Sequence, residues 1–343
     1  MRKPGFLFAV GALLLGFVVV ILGAYTRLVH AGLGCPDWPG CYGFLSVPRS
    51  DAALELAQLR FPDNPVEAFK AWAEMIHRYA AGLLGLTILG LALLALKYRQ
   101  REGYPLKLPL ALLALVICQA LFGMWTVTLK LWPQVVTAHL LGGFATLSLL
   151  FLLCLRLSGR LPADVGLTAL RPLGRAVLAV VIVQIALGGW VSSNYAAVAC
   201  LDLPTCHGQW WPEMDFVAGF NIFQEIGPNY LGGMLYGEGR TAIHVTHRIG
   251  ALITLIATLL LVWKLYRAGL TATAVGLSLV LFTQLGLGIS NILAHLPLAV
   301  AVAHNAVGAL LLLTLVLVNY RLRPAAIRVN AQRRSPVGQW TPG

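Results

Sequence analysis

The chain has 343 residues, of which 58% are hydrophobic and 11% charged; its mean hydropathy is +0.78 and its net charge +12. A composition this apolar excludes a soluble globular domain. With no basic soluble region to carry the charge, it also excludes a nucleic-acid-binding protein.

Eight apolar stretches are long enough to cross a bilayer, each of about 20 residues. They fall near 6–29, 73–96, 107–129, 135–157, 174–195, 241–265, 271–293 and 299–320. Backbone groups in lipid must bond within their own segment, so these stretches are expected to be helices. The first follows Arg2 and Lys3, as in a signal peptide. Its apolar run exceeds a signal-peptide core and no small-x-small site follows, so it is expected to be a retained span.

A loop over 30–72 comes next, with Cys35-x5-Cys41 and a helix-like stretch before Pro62. Span two opens with Glu74, His77 and Arg78. Span three contains Cys118, and span four His139 and Cys154. A second long loop, 196–240, contains Cys200-x5-Cys206; span six then carries His244, His247 and Arg248, and span eight His304. Cys118 and Cys154, inside spans, are expected to be small apolar core residues.

The basic residues fix an expected orientation. Arg2 and Lys3 precede span one; Lys97, Arg99, Arg101 and Lys107 join spans two and three; Arg156, Arg160, Arg171 and Arg175 join four and five. Lys264 and Arg267 join six and seven, and Arg321, Arg323, Arg328, Arg333 and Arg334 form the tail. With eight spans all these lie on one side. The positive-inside rule makes that side, and both termini, cytoplasmic. The two cysteine-bearing loops then lie outside, where disulfides persist. Cys35 with Cys41 and Cys200 with Cys206 are expected to be disulfides; free or metal-binding thiols are the alternative, although C-x5-C is not a familiar zinc spacing.

The chain repeats itself. A shift of 165 residues lays Cys35 and Cys41 on Cys200 and Cys206, and His139 on His304; His77 meets His247 at a shift of 170. Two halves of four spans each are therefore expected, 1–160 and 161–343. Spans two, four, six and eight run inward, and each carries its histidine within its first two turns, less than roughly 10 Å below the outer boundary. An ionisable residue inside a span is a functional candidate by default. Four histidines at one depth on alternate helices point to two haem sites, one per half, each clamped between two imidazoles. His30, His207 and His295 lie at or beyond span ends and are expected to be ordinary solvated residues.

The halves differ beside these histidines. Glu74 stands three residues before His77, on the same helix face, where His244 precedes His247. A carboxylate at a porphyrin edge could accept a proton or stabilise positive charge; a helix-start residue favoured by the macrodipole is the alternative. Arg78 and Arg248, each following a histidine, could pair with haem propionates or snorkel to the interface.

On E-x-x-H-R at 74–78, His139, CLDLPTCHGQWWPEMDF at 200–216, IHVTHR at 243–248 and His304, the chain resembles the haem A synthase family over nearly its whole length. The resemblance implies an all-α membrane protein of eight transmembrane helices in two pseudo-symmetric four-helix bundles, placed in the bacterial inner membrane. It implies an oxidoreductase that converts haem O to haem A for cytochrome oxidase assembly by oxidising the C8 methyl to a formyl group. His77 and His139 would hold the haem O substrate, with Glu74 catalytic. His247 and His304 would ligate the iron of a cofactor haem b that relays electrons. By family analogy, haem O synthase and cytochrome oxidase assembly factors are the expected partners. The sequence does not name the electron acceptor, or say whether the chain forms a homo-oligomer. A di-haem cytochrome that only transfers electrons explains the four histidines equally, but explains Glu74 and the cysteine pairs poorly. A haem carrier is a third reading.

Overall fold

The computed structural model describes residues 2–159 and 165–324. The expected basic residues Arg160, Arg328, Arg333 and Arg334 lie outside them. Ten α-helices follow in order: α1 (Phe6–Leu28), α2 (Asp51–Arg60), α3 (Ala68–Lys97), α4 (Lys107–Thr128), α5 (Pro133–Ser158), α6 (Arg171–Ser193), α7 (Phe216–Gly219), α8 (Gly237–Arg267), α9 (Thr271–Leu293) and α10 (Leu298–Arg321). Among the described residues there is no strand beyond two isolated bridges, and eight helices are long and apolar enough to cross a membrane. The protein is an all-helical, multi-pass membrane protein.

The eight expected spans correspond to α1, α3, α4, α5, α6, α8, α9 and α10. The differences lie at helix starts. α3 begins at Ala68 and α8 at Gly237, each about a turn before its apolar run. These added turns carry Lys70 and Glu238, which a hydropathy reading assigns to loops. Pro133 starts α5, and Gly159 at φ 62° ends it, a backbone conformation that glycine adopts at little cost. The helix-like stretch before Pro62 is α2, whose first turn is capped by the Ser50 hydroxyl accepting from the Ala53 amide.

α1 packs on α3 and α5, and α4 joins α3 and α5; α6 packs on α8 and α10, and α9 joins α8 and α10. Ala9, Ala12, Leu84, Ile88, Leu112 and Leu150 fill the first group, and Val181, Leu261, Leu277, Leu281, Leu312 and Leu315 the second. The groups meet along α5–α6, α1–α10 and α5–α10.

This architecture fits a pseudo-twofold arrangement, because residues 165 apart repeat conformations and meet one another. The non-glycine residues of positive φ pair at that spacing: His30 with Tyr195, Tyr42 with His207, Lys130 with His295, and Leu131 with Leu296. At the end of the bundle that carries the disulfide loops Arg27 donates to the Ser192 carbonyl, and the rings of His30 and Tyr195 stack at 5.6 Å. At the opposite end the Tyr320 hydroxyl donates to the Leu155 carbonyl at 3.2 Å. Contacts between equivalent positions are what a twofold axis between two similar halves produces.

Candidate functional site

The two cysteine loops are built alike. Cys35 bonds Cys41 and Cys200 bonds Cys206, as expected from the sequence. Within each ring an aspartate gathers backbone amides: Asp37 accepts from Tyr42 and Gly43 at 2.6 and 2.7 Å, and Asp202 accepts from His207 and Gly208, both at 2.9 Å. The Thr205 hydroxyl adds a bond to Asp202 at 2.6 Å. That hydroxyl first, with the two amides, holds the Asp202 carboxyl well below the usual range.

An arginine on the helix below ties each loop down. Arg248 donates to the carbonyls of Thr205, Cys200 and Asp202 at 2.8, 3.0 and 2.9 Å. Arg78 donates to those of Asp37, Pro39 and Gly40. Both guanidinia thus anchor the disulfide loops, a role beside the two read from sequence.

Glu74 is 4% exposed and held from two sides. Its Oε2 accepts from the Cys35 amide at 2.9 Å, and its Oε1 is ion-paired with Arg78 at 2.5 Å. The carboxylate thus joins the first disulfide loop to the helix that carries His77, one turn away. Its counterpart His244 is 5% exposed and bonds the Ala196 carbonyl through Nδ1 at 2.8 Å. The halves therefore also differ in how each loop is fastened.

The four histidines come together in pairs. His77 on α3 and His139 on α5 lie within electrostatic reach of each other, as do His247 on α8 and His304 on α10. Each ring lies against a glycine of a third helix. A Cβ on Gly23 would lie 3.0 Å from Cε1 of His77, and one on Gly123 would lie 3.4 Å from Cε1 of His139. A Cβ on Gly188 or Gly288 would lie 3.2 Å from Cε1 of His247 or His304. Gly188 stands 165 residues after Gly23 and Gly288 165 after Gly123, so the same shift that aligns the cysteines could have found these seats. The glycines let the helix backbone approach the imidazole edge more closely than any side chain would allow.

The residues fit a haem. The Nδ1 atoms of His77, His139 and His304 are buried and have no hydrogen-bond partner, so one nitrogen of each of these rings is left for a group the protein itself does not supply. Among the described residues no three His, Cys, Asp or Glu side chains converge. Two imidazoles are an incomplete shell for a bare ion but suit a porphyrin, which brings four equatorial nitrogens of its own.

The remaining histidines are placed as expected, at span ends. Burial first, then the charges of Arg27 and Lys70, lower the pKa of His30. His207 bonds the Ala199 carbonyl at 2.8 Å, and His295 forms a left-handed turn. Cys154 is buried as expected, whereas Cys118 is exposed on α4; the periodicity of an apolar span does not distinguish its lipid face from its core face.

Residues 6–316 match the COX15-CtaA model, described as cytochrome oxidase assembly protein. A haem A synthase of Shewanella oneidensis is 50% identical over 308 residues, covering 89% of this chain and 92% of that protein. One of Allorhizobium ampelinum is 32% identical over 322 residues, covering 87% and 84%. The haem A synthase COX15 of Arabidopsis thaliana is 29% identical over 349 residues, covering 90% and 72%. The repeat, its paired histidines and this likeness over nearly the whole length converge: the chain belongs to the COX15-CtaA family of cytochrome oxidase assembly proteins.

Proposed function

We propose that this protein is a haem A synthase, oxidising the C8 methyl of haem O to a formyl group to give haem A for cytochrome oxidase. The observation that carries the reading is the pair of matched histidine sites, one per half, of which only the first has a buried carboxylate one turn away. The 50% identity to a haem A synthase supports the activity.

Residues 1–160 form the substrate half, where His77 and His139 hold haem O. Residues 161–343 form the other half, where His247 and His304 hold a resident haem b. That haem supplies one-electron redox chemistry. Counted with water as the oxygen source, methyl to formyl takes up one water and releases four protons and four electrons. It does so in two successive oxidations, the second giving a gem-diol that loses water, and the electrons pass to a membrane electron acceptor. Glu74, ion-paired with Arg78 one turn from His77, would take up a proton or stabilise positive charge at the ring edge. The glycine seats fix the rings by contact, and the fastened loops cover the outer ends of the histidine helices.

The protein sits in the bacterial cytoplasmic membrane with both termini inside and the disulfide loops outside, and works beside haem O synthase and oxidase assembly factors. Substituting the histidines one at a time tests the division of labour. His247→Ala and His304→Ala should each remove the low-spin spectrum of the resident haem. His77→Ala and His139→Ala should abolish conversion and leave that spectrum in place. An unchanged spectrum in the first two would refute the ligand assignment.

A further inference from the structure

Gln184 and Gln284 are side chains that the family likeness and the reaction leave unused. Gln184, on α6 one turn before the seat Gly188, places its Nε2 3.1 Å from Nδ1 of His247 and donates to the His247 carbonyl at 3.0 Å. Gln284, on α9 one turn before Gly288, places its Nε2 3.2 Å from Nε2 of His304. Both C-terminal histidines are thus held by a carboxamide from the same helix that supplies the glycine seat.

The N-terminal half lacks this. At the place of Gln184 stands Val19, which offers His77 only a main-chain carbonyl. Gln119 matches Gln284, but its carboxamide lies against Gly142, where a Cβ would come within 1.8 Å of Nε2. His77 and His139, like His304, keep partnerless Nδ1 atoms, whereas the Nδ1 of His247 is met by Gln184. So the two sites share histidines and glycine seats but differ in what fixes the rings.

We infer that Gln184 is a positioning residue that makes the C-terminal site retain its haem, while Val19 at the matching place leaves the N-terminal site able to exchange its own. The inference rests on the reading of the two histidine pairs as haem sites. A metal-ligating histidine gives its second ring N–H to an acceptor that fixes the ring and raises its basicity. Gln184 Oε1 is buried and unpartnered; turning the carboxamide over would exchange the bond to the His247 carbonyl for an acceptor at Nδ1 of His247. Such outer contacts are worth about 10–100-fold in affinity for the bound group. The asymmetry suits the proposed task, since a substrate haem must enter and leave while a relay haem must stay.

The test is transfer of haem from the purified, haem-loaded full chain to apomyoglobin, read alongside the low-spin electron paramagnetic resonance signal. Gln184→Val should release the C-terminal haem about 10–100-fold faster and shift its g values. Gln184→Glu, which keeps the reach and the acceptor oxygens, should restore slow release. Val19→Gln should slow release from the N-terminal site. Native transfer rates and g values in a folded Gln184→Val protein would overturn the inference and leave the two-site reading intact. A native chain with no haem signal that His247→Ala removes would overturn both. Where Gln184→Val fails to fold, Val19→Gln decides alone: unchanged release from the N-terminal site refutes the inference.

Discussion

Helix α9 offers a controlled perturbation of one proposed haem ligand, because two of its glycines, two residues apart, differ completely in surroundings. A Cβ on Gly288 would lie 3.2 Å from Cε1 and 3.7 Å from Nδ1 of His304, whereas a Cβ on Gly286 would meet nothing within 4 Å. Replacing glycine by alanine inside a helix gains up to about 1 kcal/mol of propensity. Gly286→Ala should therefore be neutral or slightly stabilising. Gly288→Ala gains the same propensity but brings carbon against carbon inside the optimum of about 3.5–4.0 Å, and the imidazole must yield. Pushing that ring off its rotamer costs about 1 kcal/mol, or roughly a fivefold loss in haem affinity. Gly288→Val, with two further methyl groups, should leave no room for the ring in its liganding position. The assay is haem content per polypeptide by pyridine haemochrome, with the reduced α-band and the thermal midpoint in detergent. Full occupancy and a native α-band in Gly288→Val, folded as well as Gly286→Ala, would refute the glycine-seat argument.

Other predictions follow from the same contacts. Glu74→Ala should keep the absorbance of bound haem and abolish haem A formation; full activity would remove Glu74 from the mechanism. The depressed pKa of Asp202 in the folded loop adds stability above the ordinary Asp value of about 3.9 and loses it as pH falls. Asp202→Asn should thus raise hydrogen exchange at His207 and Gly208 at neutral pH, by a margin that narrows below about pH 3.9; a difference that grows on acidification would contradict the bonding described. A reporter fused at Gly103 should read cytoplasmic and one at Asp215 external; the reverse would overturn the topology.

Much of this was legible in the chain because lipid imposes simple rules. An apolar run of span length must be a helix, so eight spans and most of their ends followed from hydropathy alone. The cysteine pairs and histidines stood out because the repeat placed them twice. What escaped was whatever depends on which face of a helix meets which neighbour. In a span apolar all round, nothing marks the lipid side, so Cys118 was placed in the core. The anchoring role of Arg78 and Arg248 was hidden as well, because the sequence does not show that six loop carbonyls turn toward them. The glycine seats were hidden among 35 glycines, although the shift that aligned the cysteines also aligns them. Gln184 has no counterpart in the first half, so the repeat could not point to it.

Whether this chain makes haem A from haem O is decided by chromatography of haems extracted from membranes that express it with a haem O synthase. Haem A should appear when this chain is present and not when it is absent. Haem B and unconverted haem O alone, from folded protein supplied with its electron donors and acceptors, would contradict the synthase reading and favour a cytochrome that only transfers electrons.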